Sequence, residues 1–220
     1  MKTRICGVSA VMALMLTAGA SSARATITYN LTTDNCTGSC LTGVVGTATV
    51  AVTTLGGGNG VSVLITLPAP LSFVNTGLQE TIDFNLGTAN TLTADNFSNA
   101  HFSLSSTVGG NHFDGFGNFV YAIKMDTAQG AGGAQPSPLS FQLHQTGLTE
   151  TSFLANSQNW FWGVDVYNST RNTTGPIGAG SGGVLSGGGN PVPEPGSIVL
   201  LSTVFLGLTA VMRKRAQRSV

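Results

Sequence analysis

Apolar and polar residues alternate one for one along stretch after stretch of this chain. Ala48, Val50 and Val52 are interleaved with Thr47, Thr49, Ala51 and Thr53. Val61, Val63, Ile65 and Leu67 repeat the pattern, as do Ile82, Phe84 and Leu86 against Asp83 and Asn85. Ala100, Phe102 and Leu104 alternate with His101, Ser103 and Ser105, and Leu139, Phe141 and Leu143 with Ser140, Gln142 and His144. Phe119, Tyr121, Ile123 and Met125 make the clearest stripe, with Ala122 and Lys124 opposite. Successive side chains of a strand point to opposite faces, so a period of two sends one set into a core and the other outward. A helix would need apolar residues three and four apart. Thr26–Thr33 is rich in β formers and reads as the first strand, and Gly43–Leu67 as a hairpin turning at Gly56–Gly60. The pattern predicts an all-β fold: a single antiparallel β-sandwich or jelly-roll-like domain of about eight strands.

Trp160, Trp162, Val164 and Val166 point one way and Phe161, Asp165 and Tyr167 the other, which reads as the last strand of a domain over 26–168. Residues 169–191 are mostly Gly, Ser, Thr and Asn and read as a flexible linker. By the same criteria 88–99 is expected to be loop, 126–138 a mobile loop, and 146–156 a segment with one helical turn.

Both ends carry targeting chemistry. Residues 1–25 have the layout of a secretory signal peptide: Lys2 and Arg4, an apolar run from Ile5 to Ala20, and a small-residue cleavage site at Ala23 and Ala25. Maturation at Thr26 would remove Cys6. At the other end, Ile198–Met212 has no charged residue. As a helix, 197–212 would span ~24 Å, short of a hydrocarbon core of ~30 Å. Local thinning and snorkelling by Arg213, Lys214 and Arg215 would make up the difference. This segment is therefore expected to be a transmembrane helix with its basic stop on the cytoplasmic side. Pro193 and Pro195 keep the preceding backbone extended.

The succession Val192-Pro193-Glu194-Pro195, apolar helix, Arg213-Lys214-Arg215 resembles the PEP-CTERM sorting signal of Gram-negative bacteria that make extracellular polysaccharide. The resemblance covers 192–220. It implies recognition by exosortase, a membrane-embedded cysteine protease-transpeptidase, with cleavage near Pro193-Glu194-Pro195. The chain would be anchored transiently in the inner membrane, then delivered to the cell surface or extracellular matrix. A structural or adhesive role in exopolysaccharide or biofilm follows as the expected function, with exosortase as partner and extracellular polysaccharide as a further candidate. Three segments, Phe73–Gly77, Ile82–Leu86 and Phe161–Tyr167, are also loosely similar to those of PEP-CTERM cargo domains, a likeness that transfers no residue role.

Between the two ends the charge is lopsided. From Thr26 to Val192 there are two basic residues, Lys124 and Arg171, and eight acidic ones, a balance of −6 in a chain that is neutral as a whole. Such a domain has no footprint for nucleic acid or anionic lipid. Cys36 and Cys40 flank a Gly/Ser loop, and in an oxidising compartment they are expected to form a disulfide. Two thiols make a poor zinc site, and the spacing is not C-x-x-C.

Catalytic signatures are lacking. His101, His112 and His144 are scattered, and neither Gly-x-Ser-x-Gly nor His-Glu-x-x-His occurs. The chain is expected not to be an enzyme, and no cofactor or metal is expected. In the loop 109–118, His112 and Asp114 raise a metal or sugar site, but the full calcium-loop pattern is absent and Asp-Gly spacing is ordinary hairpin chemistry. Two alternatives to the matrix role carry their own requirements. A carbohydrate-binding module needs Trp160, Trp162, Phe116 or Tyr121 exposed along one concave face. A secreted hydrolase needs acids or His converging in one cleft.

Overall fold

The computed structural model describes residues 26–77, 80–87, 91–105, 111–181 and 184–186. The signal peptide with Ala23 and Ala25, the motif Val192–Pro195, the segment 197–212 and the basic cluster Arg213–Arg215 lie outside the described residues. In chain order the strands are β1 Thr26–Leu31, β2 Thr33–Asp34, β3 Ala48–Thr54, β4 Gly60–Thr66, β5 Leu71–Phe73, β6 Glu80–Leu86, β7 Thr93–Asp95 and β8 Phe102–Leu104. They continue as β9 Asn111–Phe113, β10 Gly117–Phe119, β11 Tyr121–Met125, β12 Leu139–His144, β13 Phe153–Leu154, β14 Trp160–Asn168, β15 Thr173–Gly180 and β16 Val184–Ser186. The helices among the described residues are single 3-10 turns at Ala131–Gly133 and Glu150–Ser152.

The protein is all-β and its sheets are antiparallel. One sheet runs β16-β1-β3-β4-β12-β7. The second runs β2-β15-β14-β6-β11-β8, with β5 also on β14 and β13 on β6. The inward members of each stripe share one buried cluster: Val50, Val52, Val63, Ile65 and Phe141 from the first sheet, Ile82, Phe84, Ile123, Val164 and Ile177 from the second. The arrangement is therefore sandwich-like. At roughly 1.5–3 kcal/mol for each large apolar side chain taken from water, this burial is the main drive for closing the two layers. Trp162 is the hub, with ring centroids 4.9 Å from Phe153, 5.1 Å from Phe84 and 6.0 Å from Tyr29.

The hairpin read over 43–67 is present, with Val50 opposite Ile65 and Val52 opposite Val63. Several expectations need correction. The segment 169–191 is not a linker throughout, because β15 pairs with β14 from Thr173 to Gly180 and β16 pairs with β1. Trp160–Asn168 is thus not the last strand. Gly178 shows the physical reason: a Cβ there would come within 2.3 Å of the Phe116 ring, so glycine permits close packing rather than flexibility. The loop expected at 88–99 contains β7, which pairs with β12. The loop expected at 126–138 is pinned: Gly130 N–H donates to Asn75 O, and Phe73 and Gln135 exchange backbone hydrogen bonds. The helical turn expected in 146–156, by contrast, is present as the 3-10 turn Glu150–Ser152, capped by Thr149.

Two aromatic stripes are also split. A register shift between Trp160 and Trp162 sends Trp160 out of the main core, while Phe161 packs on Tyr29 at 5.3 Å. Phe119 leaves the stripe of Tyr121, Ile123 and Met125, because the backbone bends at Val120 between β10 and β11. Trp160 and Phe119 instead join Phe113 and Phe116 in a second small cluster.

Candidate functional site

That second cluster belongs to the β9–β10 hairpin, which lies on the outer face of the second sheet. Gly163 on β14 pairs with Gly178 on β15 and with Asp83 on β6, and Asp83 pairs in turn with Ala122 on β11. Small residues thus form a row across four strands. A Cβ on Gly163 would lie 2.6 Å from the Phe113 ring, as one on Gly178 would meet Phe116. The absence of side chains on these two glycines makes room for the hairpin's phenyl rings. Trp160 meets Phe116 edge-on at 4.9 Å.

Beside this hairpin β14 changes partner. Its first half pairs with β6 and its second half with β5, so β5 and β6 follow one another along the same edge. From Val74 to Gly77 the chain after β5 is outside the sheet. It is anchored by Val74 N–H donating to Asp165 O, by Asn75 Nδ2 donating to Met125 O, and by Gly77 N–H donating to Asn75 Oδ1. The gap is a cavity of about 290 Å³. Thr76, Gly77 and Glu80 line it from the connection, Asp165 from β14, and His112, Phe113 and Asp114 from the hairpin.

The acids there are in unusual surroundings. Strand alternation puts Ile82 and Phe84 in the core and Asp83 on the opposite face, the face of Asp165 and of the Phe113 ring. Asp83 is 0% exposed, and neither of its carboxylate oxygens has a hydrogen-bond partner. Burial, reinforced by the charges of Glu80 and Asp165, pushes its carboxyl up to about 8. Burial likewise pushes Asp165 up to about 7, against hydrogen bonds from the Thr76 hydroxyl and backbone that favour the anion, with Asp114 adding repulsion. Burial also raises Glu80. Lys124 stands opposite Glu80 in the β11–β6 register, and no ion pair joins the two among the described residues. Ion pairs among the described residues are His101–Asp126, His112–Asp114 and His144–Asp95.

The residues singled out from the sequence fall as follows. Cys36 and Cys40 are disulfide-bonded, with Cα atoms 5.6 Å apart. They close a loop around Asp34, whose carboxylate accepts from Ser39 Oγ at 2.6 Å, Leu41 N–H at 2.7 Å and Cys36 N–H at 3.0 Å. Partial burial opposes ionisation of Asp34, but these donors outweigh it and hold its carboxyl below the usual value. Asp34, Cys36 and Cys40 crowd together like metal ligands, but the sulfurs are spent on each other and the carboxylate is satisfied. His112 and Asp114 sit on the β9–β10 hairpin, 3.7 Å apart and exposed at the cavity mouth. The exposed aromatic face required of a carbohydrate-binding module is not formed by the residues named for it. Trp162, Phe116 and Tyr121 are buried in two different clusters, and Trp160 alone is partly open.

Glu80, Asp83, Asp165 and Thr76 were not legible as a site. Each acid stands singly in the sequence, and alternation assigns Asp83 and Asp165 to a face normally given to solvent. The available signal was Gly163 between Trp162 and Val164, together with the Phe-rich, Gly-rich hairpin segment that needed a surface to cover. No protein-family model matches this chain, and no curated protein or solved structure does either.

Proposed function

We propose that this chain is an exported cell-surface or extracellular-matrix protein, sorted and processed by exosortase, with a non-catalytic structural or adhesive role in exopolysaccharide. One observation carries the reading: Val192-Pro193-Glu194-Pro195, an uncharged apolar run and Arg213-Lys214-Arg215 stand in that order near the end of the sequence. Two features of the folded domain support it. A disulfide suits an oxidising compartment. An acidic cavity without a basic wall suits ligands that offer cations or hydroxyl groups rather than anions.

The test is the intact mass and location of the mature protein in hosts with and without exosortase. Loss of 1–25 together with the tail beyond about Pro193, the latter only when exosortase is present, is the expected result. A tail retained in both hosts would overturn the processing. A second reading, a secreted hydrolase, is favoured by the meeting of Glu80 and Asp165 in one cavity with a carboxyl poised near neutrality. It predicts release of reducing ends from exopolysaccharide, abolished by Asp165→Asn. Absence of release between about pH 4 and 9 would remove it.

A further inference from the structure

We propose that the β9–β10 hairpin is a flap on the outer face of the second sheet, held down while the Asp83 carboxyl beneath it is protonated and released as that carboxyl ionises. The hairpin is a separable piece of the fold. Among the described residues its two strands pair with each other, and no ladder joins them to either sheet. Phe113, Phe116 and Phe119 form their own cluster with Trp160, apart from the core between the sheets. The hairpin can therefore leave without opening that core. It is held by its rings, seated over Gly163 and Gly178, and by two side-chain donors. Asn156 Nδ2 donates to Phe116 O at 2.6 Å and Asn35 Nδ2 to Asp114 O at 3.3 Å. At its far end the chain bends into β11 at Val120, whose N–H is fixed by Asn85 Oδ1 at 2.7 Å, which supplies a hinge.

Asp83 lies under this flap. It pairs with Gly163, and cross-strand partners share a face, so its side chain leaves the sheet on the side where the Phe113 ring sits. It is wholly buried, and neither of its oxygens has a hydrogen-bond partner. A carboxylate without donors or a counter-ion in such a place either takes up a proton or finds water. The groups around it do not favour the anion. Glu80 lies on its own strand, Asp165 on β14, and Asp114 with His112 on the hairpin. Lys124 on β11 stands opposite Glu80 in register, and β15 carries no ionisable side chain. Closed, the carboxyl keeps its proton up to about pH 8. Lifted into water, it loses it near pH 4. The closed form is thus fully favoured below about pH 4 and loses ground about tenfold for each pH unit up to about 8. Asp165, pushed up to about 7 in the cavity that the hairpin borders, acts in the same direction. Opening would uncover the acidic cavity together with the hairpin's phenyl rings.

Digestion of the native full chain by chymotrypsin at pH 6, 7 and 8, with each cut located by mass, tests the proposal. In the closed form Phe113, Phe116 and Phe119 are at most 4% exposed. A two-stranded hairpin off its sheet is marginal, so once lifted it unravels and these sites become cleavable. Cleavage then tracks the open population. The rate of cutting after Phe113, Phe116 or Phe119 in the parent, divided by that in Asp83→Asn at the same pH, should rise about tenfold per pH unit. The division cancels the protease's own response to pH and the share due to Asp165. Cutting at Phe84 and Trp162, in the main core, should show no such rise. Gly163→Ala, which crowds the Phe113 ring, should be cut faster in the hairpin at every pH and keep the parent's slope. A parent-to-variant ratio equal at pH 6 and pH 8 would overturn the proposal. So would a rise at Phe84 and Trp162 matching that in the hairpin, since the fold would then open as a whole. None of these outcomes bears on the export reading, which the mature mass decides.

Discussion

Replacing Asp83 by Asn should change how the domain's stability depends on pH. In the fold this carboxyl has no donor and no exposure, and burial, with Glu80 and Asp165 nearby, moves it from 3.8 up to about 8. In the unfolded chain it releases its proton near pH 4. Between those values the folded state holds a proton that the unfolded state has lost. Stability from this group is therefore complete below pH ~4 and falls as pH rises, by about 1.4 kcal/mol per pH unit, until the folded carboxyl ionises near pH 8. Four units give about 6 kcal/mol, which is large against the roughly 5–15 kcal/mol that holds a typical domain together. Asp165, raised to about 7, loses stability in the same direction over its own window. Glu80, Asp114, His112 and Lys124 are the other ionisable groups around the pair, and the substitution leaves all four in place. Asn has no proton to lose, so one of the two large slopes should vanish. Urea unfolding of the full chain, followed by tryptophan fluorescence at each pH from about 4 to 9, reads this directly. The parent should weaken steeply with pH, and Asp83→Asn should be the more stable of the two above pH 8. Parallel curves from pH 4 to 8 would show that Asp83 is solvated or paired in solution, and the reasoning would fail.

Three further outcomes can be checked. Gly163→Ala brings a Cβ to 2.6 Å from the Phe113 ring and should cost about 1–3 kcal/mol by lifting the β9–β10 hairpin, read as a lower urea midpoint; an unchanged midpoint would mean the hairpin does not rest there. Cys36→Ala with Cys40→Ala opens a loop of a few residues and should lower stability by about 2 kcal/mol, seen as a fall in Tm equal to that produced by reductant in the parent. Asp34→Ala removes the acceptor of three hydrogen bonds in that same loop and should cost about 1–3 kcal/mol; a Tm equal to the parent's would show the loop to be held by the disulfide alone.

The sequence by itself determined the strands and their faces. Val50, Val52, Val63, Ile65, Ile82, Phe84, Phe141 and Leu143 were assigned inward by alternation, and all are buried. A period of two is a local property of an extended chain, so it can be read without knowing any neighbour. The Cys36–Cys40 bridge was legible for the same reason, since its partners are four residues apart. The glycine-rich stretch from Thr173 was misread as a linker because glycine reports freedom locally and reports close packing only when its neighbour is known. Here the neighbours are Phe116 and β14. The acidic cavity belongs wholly to the tertiary structure. Glu80, Asp114 and Asp165 are far apart in the chain, and they meet because β14 exchanges β6 for β5 and a hairpin folds over the gap. Pairing between distant strands is settled by how whole sheets bury their faces, which no window of sequence contains.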